Sequence, residues 1–335
     1  MLLRPVLAFA LALGLAAPAL AQDAPTPKKL GFLVYPGVQV IDFTGPYEVL
    51  SGASSGHQPL FDVVTVGLTH DEFRMGGIET GIPMRADHAL DDAPKLDILV
   101  IPGGETGSVS GNAEAMAWVK QTAADAECVM SVCNGAFILA EAGLLKNQKA
   151  TTFYWFMDDL EEAEPSCTVV YDQRFVDNGK IVTTAGLSSG IDGALHLIER
   201  FGTRYDAEQR ALGLEYHWQP ELNWSRAGLA DRHLVRMLGS AGFEFPEGKV
   251  SAWTAVQNNG TTEQWTKRWT FDCPLTKDEV TRIFESKMAA TWHKADARED
   301  GWAFEDDKGR PWAATLTIAE QAEGHWTASI ELQMK

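Results

Sequence analysis

The chain has 335 residues, four cysteines and a formal charge of −18, a length that suits two domains. The acid excess excludes nucleic acid and anionic membrane surfaces as partners, since both need clustered Lys and Arg. Four cysteines in a chain this long do not form a disulfide framework.

Residues 1–21 read as a processing segment. Arg4 is their only charged side chain, an apolar run follows from Val6 to Ala17, and Ala19-Leu20-Ala21 matches a small-x-small cleavage site. Cleavage after Ala21 is expected, giving a periplasmic or secreted protein with no membrane contact in its mature form. The competing reading is an uncleaved anchor, but the run is too short to span a bilayer. No cysteine lies near Ala21 to carry a lipid. In an oxidising compartment a Cys167–Cys273 bridge is one expectation and two unpaired buried thiols the other.

Gln22 to Lys29 is a short tether. Leu30–Tyr35 is a continuous apolar run, as for a strand buried on both faces. Pro36-Gly37 stops it, and a helix is expected to begin near Gly45-Pro46, with proline in its first turn. Phe61–Val66 and Asp97–Ile101 read as strands, the latter ended by Pro102-Gly103-Gly104. Ala113–Ala126 reads as a helix, Cys128–Val132 as a short buried strand, Gly135–Ala142 as a helix ended by Gly143, and Lys180–Thr184 as a strand before a helix over about Ile191–Phe201. Strands alternating with helices predict a parallel sheet with helices on both faces, the flavodoxin-like α/β arrangement, over residues 29–220.

Residues 221–248 read as a connector with one helix near Leu229–Leu238. Residues 249–335 differ in character, for seven of the eleven tryptophans lie at or after Trp253. Asn258-Asn259-Gly260 predicts a hairpin turn between Trp253–Gln257 and Gln264–Phe271. Thr276 and Glu279 form a capping-box signature opening a helix with Val280, Ile283, Phe284 and Met288 on one face. Further strands are expected at Gly301–Glu305, Pro311–Ile318 and Trp326–Leu332. The expectation is a small α+β domain, an antiparallel sheet crossed by one helix. Its tryptophans are read as core, with a ligand groove as the alternative.

The most reactive position in the sequence is Cys133. An apolar strand runs straight into it, and Asn134, Gly135 and a helix come after it. Such a strand-to-helix elbow projects its side chain above the sheet edge. The positive end of the following helix is expected to favour the thiolate. The amide of Asn134, with a second from Gly104 beside Gly103, is expected to donate to a developing anion at the carboxyl edge of the sheet. The bland alternative is a small buried core cysteine.

The stretch Ser131-Val132-Cys133-Asn134-Gly135-Ala136 followed by Leu139-Ala140-Glu141-Ala142-Gly143-Leu144-Leu145 resembles the cysteine elbow of the DJ-1/PfpI superfamily, a class I glutamine amidotransferase-like group. Within it the isonitrile hydratases and the amidotransferase-like half of certain AraC-type regulators are most alike. Gly31–Pro36, Ile41–Pro46, Ile101–Gly104, Ala185-Gly186 with Ser189–Asp192, and Leu212–Tyr216 match further family segments in order. The resemblance implies that Cys133 is a nucleophile, that Asp42 is its acidic partner and proton carrier, and that Gly104 and Asn134 supply amides. For Asp42 alone the alternative is a helix-capping or surface role; Glu48, the other candidate acid, is read as a solvated helix residue. The resemblance also implies a homodimer, unless the added domain covers the usual interface.

Two positions depart from the pattern. Asn134 stands where isonitrile hydratases carry Thr, and Phe153 follows Thr151-Thr152 where many relatives carry His. A His–Cys pair of peptidase type therefore lacks its base; His57 and His217 have no motif and are read as surface residues. His88, His293 and His325 are scattered, no cluster has metal-ligand spacing, and the glycines after Pro102 lack the Lys-Ser/Thr of a phosphate loop. No cofactor is expected. The tryptophan-rich C-terminal region carries no basic recognition helix, which argues against DNA binding. Three functions remain: a cysteine-dependent hydratase of small isonitriles, a non-catalytic periplasmic ligand-binding or sensing protein, and glyoxal processing.

Overall fold

The computed structural model describes residues 26–171, 173–221, 243–260, 263–290, 292–294, 301–305 and 309–335. The processing segment and the expected Leu229–Leu238 helix lie outside the described residues. No helix among the described residues is long and apolar enough to cross a membrane.

The first unit is built on a seven-stranded sheet. Its strands are β1 (Lys28–Val34), β2 (Phe61–Gly67), β3 (His88–Ala89), β4 (Ile98–Ile101), β5 (Cys128–Val132), β6 (Phe175–Asp177) and β7 (Ile181–Thr184), in the order β6-β7-β5-β4-β1-β2-β3. All neighbours pair in parallel except the β6–β7 edge hairpin. Strands β4, β5 and β7 are buried at every residue, which is why β4 reads as an unbroken apolar run and why β5 and β7 admit only the small buried polar residues Ser131, Thr183 and Thr184 rather than an alternating pattern. Helices α1 (Val40–Ser51), α2 (Ala113–Asp125), α3 (Gly135–Glu141), α4 (Met157–Ala163), α5 (Ser189–Phe201) and α6 (Arg204–Gly213) accompany the sheet. The fold is thus the expected α/β one.

Two details of α1 differ from expectation. The helix starts at Val40, so Asp42 is in its first turn and Pro46 sits in its interior rather than at its start. Proline there deletes one backbone hydrogen bond, but it also permits close packing. A methyl group on Gly190 of α5 would lie 2.9 Å from both Pro46 Cγ and Val132 Cγ1. The short residues at this crossing bring α1, α5 and the end of β5 together, and so bring Asp42 to Cys133. The far end of α1 is fastened by Arg210, whose Nε donates to the Val49 carbonyl at 3.0 Å.

The second unit is a six-stranded sheet of β8 (Ser251–Gly260), β9 (Gln264–Asp272), β10 (His293–Lys294), β11 (Gly301–Glu305), β12 (Pro311–Ala322) and β13 (His325–Met334), in the order β8-β9-β13-β12-β11-β10, antiparallel throughout. Helix α7 (Lys277–Ala289) lays Val280, Phe284 and Met288 on a core of Trp265, Trp269, Phe271 and Trp326. Thr276 and Glu279 close the expected capping box, with the Thr276 amide donating to Glu279 Oε2 at 2.8 Å. The tryptophans Trp265, Trp269, Trp292, Trp302, Trp312 and Trp326 are buried, in keeping with a packing role. Asn258-Asn259-Gly260 is not the hairpin turn: these residues pair with Lys267, Thr266 and Trp265 inside the ladder. Trp265 Nε1 donates to Asn258 Oδ1 at 2.8 Å. That cross-strand bond joins the turn signal to the ladder.

Candidate active site at the Cys133 elbow

Cys133 sits between β5 and α3 with φ +58°, a left-handed backbone that a residue with a side chain adopts at a cost of about 1–2 kcal/mol. Fixed neighbours hold it there. Its amide donates to the Ala185 carbonyl at 3.1 Å, and its own carbonyl accepts from the buried Thr152 hydroxyl at 2.8 Å. The Thr-Thr pair before Phe153 thus braces the elbow from beneath. Leu187, in the turn after β7, is left-handed as well, at φ +56°. Two of the five non-glycine residues with positive φ among the described residues therefore flank one sulfur atom, the kind of concentration that marks functional sites.

Asp42 is fully buried. Its Oδ1 accepts from the Leu187 amide at 2.9 Å, while Oδ2 makes no hydrogen bond of ordinary geometry and faces Gly103 and the Cys133 thiol. Burial pushes its pKa from the ordinary 3.8 up to about 6; the Leu187 amide, the Cys133 thiol and the Gly103 amide pull in the other direction. Asp42 is therefore not a helix cap or a surface acid. Glu48, by contrast, has a side chain 68% exposed, as expected of a solvated position.

The expectation of a standing thiolate is overturned. Burial comes first and the Asp42 charge second, and together they drive the Cys133 thiol well above its ordinary range; the amides of Asn134 and Leu187 oppose this without prevailing. Helix α3 has only seven residues, too short for its dipole to outweigh a buried carboxylate a few ångströms away. Burial and the Asp42 charge thus favour the protonated sulfur, which leaves the carboxylate as the base. Cys133 is also only 7% exposed, so just a small molecule reaches it.

The donor set differs in part from expectation. The Gly104 amide donates to Asn134 Oδ1 and the Gly104 carbonyl accepts from Asn134 Nδ2, each at 2.8 Å. Gly104 is therefore committed to the Asn134 side chain and is not a free donor. Asn134 keeps its backbone amide directed at the sulfur, as expected. Gly103 faces Asp42, not the sulfur: a methyl group there would lie 2.8 Å from Asp42 Oδ2 and 2.9 Å from Cys133 Cβ. The second amide at the sulfur comes from Leu187, which the sequence did not single out.

Phe153 forms a wall. Its ring lies against Gly186, and a methyl group on Gly186 would collide with the ring and sit 3.3 Å from Cys133 Sγ. Tyr154, Trp155 and Phe156 continue this aromatic edge, with centroids 4.7, 6.0 and 5.8 Å from that of Phe153. An apolar ring thus occupies the place where an imidazole would act as a base. His57 and His217 are exposed, and neither is among the groups acting on the sulfur.

All four cysteines are free and buried, so of the two expectations for Cys167 and Cys273 the structure shows the unpaired one. The sequence also hid one grouping of metal-ligand type among the described residues: His70, Asp91 and Asp92 place ligand atoms within 4.8 Å of one another. All three are exposed, and His70 Nε2 lies 3.6 Å from Asp92 Oδ2 as a surface ion pair.

The chain resembles known proteins in both sequence and fold. The chain is 33% identical over 189 residues to an isonitrile hydratase of Pseudomonas putida, covering 56% of this chain and 78% of that protein. It is 27% identical over 219 residues to an HTH-type transcriptional regulator of Pseudomonas aeruginosa, spanning 62% of this chain and 63% of the regulator's length. Among solved structures, a ThiJ/PfpI family protein from Pseudomonas syringae superposes with a TM-score of 0.54 at 26% identity, covering 67% of this chain and 91% of that one. Residues 28–200 match the DJ-1/PfpI family, and the chain belongs to it.

Proposed function

We propose that the protein is an exported cysteine-dependent hydratase of small isonitriles. The observation that carries this reading is the pairing of one buried thiol, at a strained elbow, with one buried carboxylate whose pKa is about 6. Such a pair suits a neutral electrophile that accepts sulfur and a proton in turn. Asp42 takes the proton of the Cys133 thiol as sulfur attacks the terminal carbon of R–N≡C, then returns it to that carbon. The product is the thioimidate R–N=CH–S–Cys133. Water adds to its carbon, nitrogen takes a proton, and the S–C bond breaks to release R–NH–CHO. Asp42 takes the hydroxyl proton of the R–NH–CH(OH)–S–Cys133 adduct as that bond breaks and hands it to the departing thiolate. The amides of Asn134 and Leu187 face the sulfur, where negative charge appears at departure.

The isonitrile hydratase relative supports the reaction class, and the apolar Phe153 wall suits an uncharged substrate. Export rests on the expected cleavage after Ala21. The domain limits at 29–220, 221–248 and 249–335 are part of the proposal; two separate cores, one gathering Leu30 to Ala211 and the other Phe243 to Leu332, support two units, with Phe243 and Phe245 of the connector belonging to the second. A homodimer through the family domain completes the proposal.

A second reading is favoured by one observation, that the thiol is covered and protonated: a periplasmic binding or sensing protein using the same pocket. One comparison separates the two. Wild type and Cys133→Ala are incubated with a simple alkyl isonitrile and the N-alkyl formamide is quantified. The enzyme reading expects product from wild type alone. No product from wild type, or equal product from both, removes it.

A further inference from the structure

We propose that Arg174, with Asp192, Ser188 and Tyr216, is a positioning clamp that aims the Leu187 amide at Asp42 and Cys133. The inference rests on the hydratase reading for its role in turnover, but not for its effect on the site.

The clamp grips the turn after β7 from both ends. The Arg174 carbonyl accepts from the Ala185 amide at 2.8 Å, and the Ala185 carbonyl accepts from the Cys133 amide at 3.1 Å. Past Gly186 and Leu187, the Arg174 guanidinium donates through NH2 to Ser188 Oγ at 3.0 Å. Its Nε donates to Asp192 Oδ2 at 2.5 Å, in the first turn of α5. Tyr216 locks the fork: its hydroxyl donates to Asp192 Oδ2 at 2.9 Å and accepts from Arg174 NH2 at 3.3 Å. Both charged side chains are largely buried, 14% and 4% exposed. A buried ion pair contributes little net stability, so conformational definition is the more economical account of this one.

What needs definition is the backbone between. Leu187 is left-handed, and the residue is 39% exposed, so packing alone does not hold it. Yet its amide is the hydrogen-bond donor to buried Asp42 and one of the two amides acting on the Cys133 sulfur. A small rotation of this peptide withdraws support from both groups at once. Ordinary hydrogen-bonded geometry tolerates only a few tenths of an ångström, and a planar fork fixes the turn where a single ammonium cannot.

The test uses two variants of the full chain, Arg174→Lys and Ser188→Ala, and a readout that needs no isonitrile: the rate of Cys133 alkylation by neutral iodoacetamide across pH. The ionisable groups facing Asp42 are Cys133 and the Tyr35 phenol, with Glu105 beyond Tyr35. An Asp42→Asn control, in which the inflection vanishes, assigns it to Asp42. The clamp predicts that this inflection moves up from about 6 by roughly one on the pH scale in Arg174→Lys, and by less in Ser188→Ala. Alkylation at fixed high pH slows in both. A merely structural role lowers the melting temperature and leaves the inflection in place. Should Arg174→Lys fail to fold, Ser188→Ala decides, since it removes only an exposed hydroxyl. An unmoved inflection in a folded variant overturns the proposal. Because the readout is alkylation, absence of isonitrile turnover in wild type sinks the hydratase reading and leaves the clamp standing or falling alone.

Discussion

Replacing Asp42 by Asn separates the two roles a buried carboxylate plays, and the structure gives opposite signs for them. The carboxyl group has an ordinary pKa of 3.8 and reaches about 6 in the fold. The folded state therefore binds the proton more tightly than the unfolded chain. This term stabilises the fold in full below pH 3.8 and is lost as pH rises through 6. The gap corresponds to roughly 3 kcal/mol, at 1.36 kcal/mol per tenfold change in proton affinity. Asn is uncharged at all pH values and its oxygen still accepts from the Leu187 amide. Asp42→Asn should therefore be more stable than wild type at pH 8, by about 1–3 kcal/mol, and close to it at pH 4. For a domain of this size that is a rise in melting temperature of about 2–12 °C at pH 8. Removing the carboxylate also lifts the second largest cause of the raised thiol pKa, so iodoacetamide alkylation of Cys133 at pH 8 should quicken. Isonitrile hydration should fall about 10²–10⁴-fold, the usual contribution of a positioned general acid or base. Calorimetry at the two pH values, alkylation followed by intact mass, and formamide assay read the three effects. A variant equally destabilised at both pH values, or one that turns over at the wild-type rate, would refute the reasoning.

Cys133→Ala should keep the fold while losing turnover, because the elbow is held by backbone and Thr152 bonds rather than by sulfur; circular dichroism and formamide assay check the two halves. Gly186→Ala should drive the Phe153 ring off its seat beside the sulfur and lower kcat/KM at least tenfold for the larger isonitriles; an unchanged size dependence would show that Phe153 does not line the pocket. Thr276→Ala deletes the capping box of α7 and should cost the C-terminal unit about 1 kcal/mol, seen as a lower urea midpoint for tryptophan fluorescence, with isonitrile turnover unaffected.

Where the chain is buried on both faces, its structure was plain in the residues. Cys128–Val132 matches the β5 strand residue for residue, because a strand buried on both faces reads as a mostly apolar run, broken here only by the small Ser131, and the bend at Cys133 ends it sharply. Short edge elements carried no such mark. Strand β3 is two residues long and β6 three, ending at Asp177; their pairing is imposed by neighbours. The Asn-Asn-Gly signal failed for a related reason. Turn propensity is worth a fraction of a kcal/mol, and the ladder bonds to Trp265, Thr266 and Lys267 outweigh it.

The site divides along the same line. Cys133 was legible because a strand-to-helix elbow is a local pattern. Asp42 needed the family likeness, for its burial depends on a crossing with α5 that no local pattern displays. Leu187 was invisible, since what it contributes is a backbone amide in a left-handed turn, and any residue can supply that. The protonation state was misjudged because local reasoning sees the helix end beside the sulfur but neither the desolvation of the closed pocket nor the carboxylate across it. Magnitude settles the outcome. A helix end is worth about 0.3–1 kcal/mol, whereas an unscreened like charge within a few ångströms in a buried site is worth several times that. That inequality gives a protonated thiol facing an ionised Asp42. On the proposed hydratase reading, chemistry begins with proton transfer between these two buried groups, and the position of Asp42 relative to the Leu187 amide sets how readily that transfer occurs.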